Sequence, residues 1–431
     1  MAMTKSGFVL CATVAAITAV TITGAGLHLS QGQAFFRESP KELVDEVWQI
    51  IDRNYVDGTF NQVDWKAIRI QYLKRSYVSQ NDAYKAIREM LEKLEDPYTR
   101  FMNPEEFKNM QIDTSGELTG VGIQLAQDEK TKKLVVVAPI EDSPAFTAGV
   151  LSKDIILKID NQKTDGMDVN KAVTLIRGPA GTQVKLTVLR GTQELEFSIK
   201  RARIEIHPVR YTLQKTPIGN VGYVRLITFS ANATEEMRNA IQDLEKQQVN
   251  GYILDLRSNP GGLLNSSIEI ARMWLQEGTI VSTVDRKGEV DRAQANRRAL
   301  TLKPLVVLVD GGSASASEIL SGALQDNNRA ELVGTQTFGK GLVQSVRPLG
   351  DGSGLAVTIA KYYTPSGRDI NKHGISPNHQ VKLTEAEREA LSSDRTKIGT
   401  ATDPQYVKAL EILTQKVAKT RQRDRAETKS N

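Results

Sequence analysis

A serine at 315 and a lysine at 340 are the side chains of this chain whose surroundings best suit attack on a carbonyl. The apolar run Leu305 to Val309 reads as a buried strand, and Gly311-Gly312 as a turn. From Ala314 the pattern turns helical, with Ile319, Leu320 and Ala323 on one buried face. Ser315 therefore falls at a strand-to-helix turn, where backbone N–H groups are free and the helix dipole favours negative charge. That turn suits both an attacking hydroxyl and the oxyanion that attack creates. Lys340 follows 25 residues later between Gly339 and Gly341, with Gln344 four residues on. Two plainer readings compete. Ser315-x-x-Glu318 fits a capping box, which would make Ser315 an N-cap. Gly334-x-x-x-x-Gly339-Lys340 approaches a phosphate-binding loop. However, Gly341 stands where the magnesium-holding hydroxyl belongs, and Leu342 to Pro348 reads as strand.

A second stretch, Asp255-Leu256-Arg257-Ser258-Asn259-Pro260-Gly261-Gly262, also joins a strand to a helix. The plain reading is a turn in which glycine supplies unusual dihedrals. The chemical reading is an oxyanion donor. Acyl transfer needs two N–H groups about 3 Å from the developing negative oxygen, and the amide of Ala316, next to Ser315, supplies one.

Taken together, Gly312-Ser313-Ala314-Ser315-Ala316-Ser317-Glu318-Ile319, Ala323-Leu324-Gln325-Asp326, Thr337-Phe338-Gly339-Lys340-Gly341 and Val343-Gln344 resemble the carboxyl-terminal processing, or tail-specific, proteases. These are serine peptidases with a Ser–Lys pair. The resemblance implies Ser315 as nucleophile, Lys340 as general base and Gln344 as the group that orients the lysine. It implies Gly261 as the second oxyanion donor, with Gly262 the close alternative. Ser313 and Ser317 are the neighbouring wrong choices, and Asp326 is a structural residue. A solvated lysine titrates near ~10.4 and is protonated at neutral pH. Burial disfavours the charged form and can bring a lysine to roughly 7–8. Gly339 and Gly341 permit close packing and Phe338 offers apolar cover. A neutral Gln344 can orient the amine without restoring its positive charge. No metal or organic cofactor is required, and a chain with only four histidines has little material for a zinc site.

Around these residues the chain must supply several modules. It has 431 residues, 40% of them hydrophobic and 25% charged, which suits two or three globular domains. Its net charge of +5 is small and its basic residues are scattered apart from the tail, so nucleic acid is not favoured. Residues 1–39, with Lys5 and an apolar run holding the single cysteine, Cys11, read as an export signal or a membrane anchor, with Gly32-Gln33-Ala34 a possible cleavage region. That places the working part outside the cytoplasm and allows membrane association through this segment. Residues 40–110 read as a helical module without chemistry of its own, although the family resemblance extends to Asp96-Pro97-Tyr98-Thr99.

Residues 111–202 switch to strand alternation and resemble a PDZ domain, through Gly120-Val121-Gly122-Ile123, Ser143-Pro144-Ala145, Ala148-Gly149-Val150 and Gly178-Pro179-Ala180-Gly181-Thr182. Such a domain adds a peptide C-terminus to a sheet edge, with its carboxylate on the glycine loop, and the contact residues implied are Val121, Gly122 and Ile123. Arg177 closes the second PDZ helix. It is a candidate reporter of peptide occupancy, against the plainer reading of a solvated helix-end arginine. Residues 203–395 alternate strand and helix, including a strand at Ile280–Val284, and predict a mostly parallel sheet. Residues 396–431 close the chain with a helix and a charged tail.

The fold expected is multidomain α+β: a helical N-terminal module, a PDZ-like β domain, and an α/β core of the crotonase or Clp-protease type. The function implied is a serine endopeptidase acting near the C-terminus of protein or peptide substrates with a free, apolar tail. The likeness to the cyanobacterial and chloroplast branch implies maturation of a photosystem II reaction-centre precursor, in the periplasm or thylakoid lumen. The alternative is a PDZ tail-binding scaffold or chaperone with a silent protease core.

Overall fold

The computed structural model describes residues 39–430 except 129–130, 141–142 and 289. The apolar segment expected as signal or anchor, with Cys11, lies outside the described residues. Among the described residues no helix is long and apolar enough to cross a membrane.

Three helices open the described chain: α1 (Pro40–Asn54), α2 (Trp65–Leu73) and α3 (Gln80–Glu92). The side chains of Ser39 and Ser79 cap α1 and α3, answered by Glu42 and Asp82 three residues on. Leu43, Val47, Ile51, Ile87, Met90 and Leu91 close a core between them. A short strand, β1 (Arg100–Met102), and helix α4 (Pro104–Ser115) follow. Helix α4 is capped by Asn103, ends at a left-handed Gly116, and runs through the junction expected between residues 110 and 111.

The β domain contains β2 (Glu117–Gly120), β3 (Ile123–Gln127), β4 (Leu134–Pro139), α5 (Pro144–Thr147), β5 (Ile155–Ile159), β6 (Gln162–Lys163), α6 (Val169–Ile176), β7 (Gln183–Arg190), β8 (Gln193–Lys200) and β9 (Ala202–Glu205). Strands β3, β4, β5, β7 and β8 are neighbours in that order, so β3 is an edge strand. Strands β2 and β9 pair antiparallel as a separate two-stranded sheet.

The core continues with β10 (Val209–Thr216), β11 (Gly219–Leu226), α7 (Ala233–Lys246), β12 (Gly251–Asp255), α8 (Leu264–Trp274), β13 (Thr279–Asp285), β14 (Val290–Gln294), β15 (Leu305–Val309), α9 (Ala316–Asp326), β16 (Glu331–Gly334), β17 (Leu342–Pro348), β18 (Gly354–Tyr363), β19 (His379–Gln380), α10 (Glu385–Ser393) and α11 (Pro404–Ser430). One sheet runs β10-β11-β12-β15-β16-β19, parallel from β11 to β19 with β10 antiparallel at its edge. Its central strands β12 and β15 are buried on both faces. Leu305, Val307 and Val309 face α7, α8 and α9, whereas Val306 and Leu308 face α11.

Ile280–Val284, predicted for that sheet, lies instead in a second sheet. There β13 pairs antiparallel with β14 and β18, and β17 and β1 flank β18. A local pattern shows that a segment is a strand but not which partner it finds. The helical module is tied into the core by the same sheet, because β1 is one of its strands.

Candidate active site

Ser315 has φ 54° and ψ −112°, a left-handed conformation rare for a residue with a β-carbon. Holding it there costs about 1–3 kcal/mol, which the packing of both flanks must offset. The flanks are β15, fully buried, and α9, whose residues Ala316 to Leu324 are all buried. The turn thrusts the Ser315 side chain into a cavity of about 500 Å³ shared with Ala316, Gly262, Lys340, Gln344 and Tyr362.

The neighbouring serines are occupied elsewhere. Ser313 Oγ donates to the Leu256 carbonyl at 2.8 Å, and Ser317 Oγ to the Asn259 carbonyl at 2.9 Å. Both are fully buried. Ser315 Oγ makes no capping hydrogen bond. The N-cap reading therefore leaves the hydroxyl unspent, and Glu318 turns out to do a different job. Its fully buried carboxylate accepts from the N–H groups of Ser315 (2.9 Å), Gly339 (2.8 Å) and Lys340 (2.9 Å), and from the Thr337 hydroxyl. One side chain thus locks the serine turn to the lysine loop. Tyr362 fastens the same two segments from the other side, donating to the carbonyls of Ser315 and Lys340.

Sequence reading saw Glu318 only as a helix cap; the spacing was the signal, and its second set of partners lies 19–22 residues away. Glu318→Gln presents an NH2 group where three amide donors need acceptors. The expected result is a fall in kcat of about 10²-fold from misplaced groups, with tail binding kept. A stability loss of about 1–3 kcal/mol should accompany it in a denaturant melt.

Lys340 is half-buried, with Nζ over the ring of Tyr98, 4.8 Å from its centroid. Burial pushes its amine below the ordinary lysine range; the like charge of Arg100 adds to this, and Asp96 and Glu318 oppose it. Both carboxylates spend their oxygens on other donors. Asp96 accepts from the Tyr98 N–H (3.0 Å) and from the hydroxyls of Thr99 (2.7 Å) and Thr358 (2.6 Å). Phe338, expected as cover for the lysine, is 56% exposed. The cover is Tyr98, delivered by the chain leading into β1. Two glycines set the loop's approach: a Cβ on Gly341 would come within 2.8 Å of Asn371 N, and one on Gly339 within 2.9 Å of two backbone nitrogens.

Gln344 lies on the cavity wall, its Nε2 3.5 Å from Thr358 Oγ1. No hydrogen bond joins the Ser315 hydroxyl, the Lys340 amine and Gln344 among the described residues. Catalytic hydrogen bonds are commonly longer in unliganded enzymes than in their complexes.

Gly261 packs directly on the serine turn, where an added Cβ would lie 2.9 Å from Ser315 Cβ. Its N–H donates to Asn259 Oδ1 at 2.9 Å. Among the described residues, the N–H groups of Ala316 and Gly262 have no acceptor. Both belong to residues lining the cavity. In this conformation the two unengaged donors are therefore Ala316 and Gly262.

The rest of the wall comes from a part of the chain read as having no chemistry. Tyr98, Arg100 and Met102 line the cavity, whereas Thr99 and Phe101 alternate to the buried side. Asp96 to Phe101 fall in the module expected to be helical. Pairing with β18, more than 250 residues away, instead makes Arg100–Met102 a strand on the cavity wall. Met110 and Thr114 of α4 complete that wall. His207, His373 and His379 do not line the cavity. The described grouping with ligand-like spacing, Glu205, His207 and Glu236, is also outside it. Asp326 sits at the far end of α9, accepting from Ser366 N–H (3.0 Å) and Oγ (2.7 Å).

In the β domain, the carbonyls of Val121 and Gly122 are taken by Ala145 N–H (2.9 Å) and Ile140 N–H (2.8 Å), while their own N–H groups have no acceptor among the described residues. Gly122 has φ 79°, and a Cβ there would strike Ser143 at 2.3 Å. Ile123 and Leu125 on the edge strand and Val169 on α6 are partly buried apolar residues, packed against a core that holds Ala172 and Ile176. Arg177 bonds to Asn109 of α4, the helix whose next turn reaches the cavity.

Residues 220–381 match Peptidase family S41, residues 135–190 a PDZ domain and residues 36–93 the Tricorn protease C1 domain. A carboxyl-terminal-processing protease of Synechocystis sp. is 46% identical over 386 residues, spanning 89% of this chain and 88% of its own. The chloroplastic carboxyl-terminal-processing peptidase 2 of Arabidopsis thaliana is 40% identical over 348 residues, spanning 78% of this chain and 68% of its own. Among solved structures, a photosystem II D1 C-terminal processing protease superposes with a TM-score of 0.57 at 37% identity, covering 86% of this chain and 100% of that one.

Proposed function

Because the chain belongs to peptidase family S41 as a carboxyl-terminal-processing serine protease, we propose that it cleaves protein tails by a Ser–Lys acyl-enzyme mechanism. Ser315 attacks the scissile carbonyl while the neutral Lys340 amine takes its proton. The N–H of Ala316 and an N–H of the Gly261-Gly262 pair receive the oxyanion. Gly262 is ready as it stands, whereas Gly261 must first leave Asn259. The protonated lysine then donates to the leaving amine, and water attacks the acyl-enzyme. Gln344 orients the amine once it swings from Tyr98 towards Ser315. The observation that carries this reading is a serine hydroxyl at a strained turn sharing one cavity with a half-buried lysine whose amine has no carboxylate ion-pair partner among the described residues.

The PDZ domain selects the substrate. An extended peptide adds to the free edge of β3, its carboxylate meets the N–H groups at Val121, Gly122 and Ile123, and its apolar side chains settle against α6. Arg177 relays occupancy through Asn109 and α4. The protease works outside the cytoplasm, in a periplasm or thylakoid lumen, with residues 1–39 as signal or anchor. The likeness to a photosystem II D1 processing protease supports a precursor of that kind as substrate.

Paired peptides with free and amidated apolar C-termini test the reading. Cleavage should require the free carboxylate. Ser315→Ala should abolish hydrolysis yet bind the free-tail peptide with unchanged affinity by calorimetry. Equal cleavage of both peptides would refute tail selection, and hydrolysis by Ser315→Ala would refute the nucleophile.

A further inference from the structure

The cavity wall carries two cations and no carboxylate. Its lining includes Lys340 and Arg100, with no aspartate or glutamate among them. Arg100 has no ion pair and no side-chain hydrogen bond among the described residues. An arginine left single beside a catalytic lysine is unusual, because like charges repel and a neighbouring acid would ordinarily relieve them. Its place is fixed by strand register. Arg100 lies opposite Ala356 of β18, and Ala356 lies opposite Val346 of β17. Directly opposed residues of antiparallel strands share a face, and all three line the cavity. Gln344, opposite Thr358, is one step along that face. The strand is rooted in the sheet, so the exposed Arg100 side chain leaves the backbone on the face that lines the cavity.

We propose that Arg100 is a positioning residue of the reaction: a second cation on the wall of the cavity it shares with Lys340, placed to ready that amine to take the Ser315 proton. The proposal rests on Lys340 being the base. The groups facing the amine are few. Tyr98 covers it with a ring face, which favours the ammonium. Asp96 and Glu318 also favour the ammonium, but each is held by hydrogen bonds to other donors. Tyr362 is kept neutral by burial. Lys361, across from Leu342, exerts its charge on Asp57. Of these charges, Arg100 alone works with burial against protonation. A second cation beside a catalytic lysine is a general means of activating its amine.

The test is the pH profile of single-turnover cleavage by the full-length chain, using a free-tail peptide without acidic residues. Wild type is set beside Arg100→Gln, Arg100→Lys and Lys340→Ala. Arg100→Gln should move the rising limb upward by roughly 0.5–1 pH unit. It should therefore lose about three- to ten-fold at pH 7 and converge with wild type above the limb. Arg100→Lys, which keeps the charge, should restore most of the wild-type limb position. A uniform loss across the profile, or no change, would overturn the proposal and leave Arg100 as a substrate contact or a bystander. A Lys340→Ala protein that still cleaves would overturn the Ser–Lys reading itself, and this proposal with it. Melting curves of the exposed-site variants should coincide with that of wild type, so that a shifted limb reports the charge alone.

Discussion

Lys340→Ala is expected to lower kcat/KM for a free-tail peptide by about 10³-fold or more, at every pH between 6 and 10, without weakening tail binding. Among the described residues lining the cavity, Lys340 is the side chain suited to act as a base for Ser315. The cavity lining includes no histidine, aspartate or glutamate, and the buried Glu318 carboxylate is committed to four donors. In wild type the rate should rise with pH through the lowered lysine value, since only the neutral amine accepts the proton. Stability should move the same way with pH as activity. Burial disfavours the Lys340 ammonium, so below the ordinary lysine range the unfolded chain binds more protons than the folded one, and stability rises with pH across that window. At neutral pH the lysine is therefore a destabilising group. Lys340→Met, which keeps the apolar stem and removes the charge, should melt no lower than wild type, and higher at pH 6 than at pH 9 relative to it. A dead but equally stable variant separates loss of the base from loss of the fold. A variant that retains its rate would return the search to another base. One that is dead and melts much lower would show Lys340 to be a structural residue.

The serine turn was legible because its signals are local. An apolar pentapeptide, two glycines and a helical stripe put Ser315 on a turn, and the fold then required the φ of 54° that frees its hydroxyl. The lysine loop was legible for the same reason, since Gly339 and Gly341 stand where an added Cβ would come within 3 Å of neighbouring backbone. What escaped was every contact made across the chain. Tyr98 and Arg100 belong to the site only because β1 pairs with β18, and no periodicity in residues 96–101 announces that partner. Phe338 was credited with shielding the lysine on adjacency alone, yet the loop turns it to solvent and a tyrosine 242 positions away in sequence takes its place. The turn from Asn259 to Gly262 showed a similar limit. Its glycines were readable, but which N–H is spent depends on the Asn259 side chain. Arg257, two residues after a strand end, gave no hint that it would be buried, because the partner that compensates it is Asp403 at the start of the last helix.

That arginine supports the second large expectation: Arg257→Ala should destabilise the protein by about 3–5 kcal/mol and lower kcat of whatever remains folded by about 10²-fold. The guanidinium is 7% exposed and lies between two fully buried carboxylates, bonding Asp255 at 2.6 Å and Asp403 at 2.7 Å through Nη2. Its Nη1 adds Asp403 and Gln405, both at 3.0 Å. Replacement by an intact apolar trio could be neutral, but deleting the arginine alone leaves two buried acids facing each other's charge. The arginine also joins the beginning of α11 to the turn that carries Asn259, Gly261 and Gly262, so its loss should loosen the oxyanion donors together with the helix that covers the outer face of the sheet. The pH dependence has a definite sign. Burial raises Asp255, but Arg257 above all, with Arg225 and the Tyr223 hydroxyl, outweighs it and holds the carboxyl below its ordinary range. In wild type that contribution is present above the unfolded value, near ~3.9, and is lost as pH falls through the folded one. Without Arg257 burial should prevail, the folded acid should titrate above the unfolded one, and protonation should relieve the strain. The gap in stability between wild type and Arg257→Ala should therefore be widest at neutral pH and close towards pH 4 in denaturant titrations. A gap that stays constant with pH would mean that lost packing, not the unpaired carboxylates, sets the cost. Arg257→Met tests this independently: it restores apolar volume without charge, and should recover little of the loss if the electrostatic account holds.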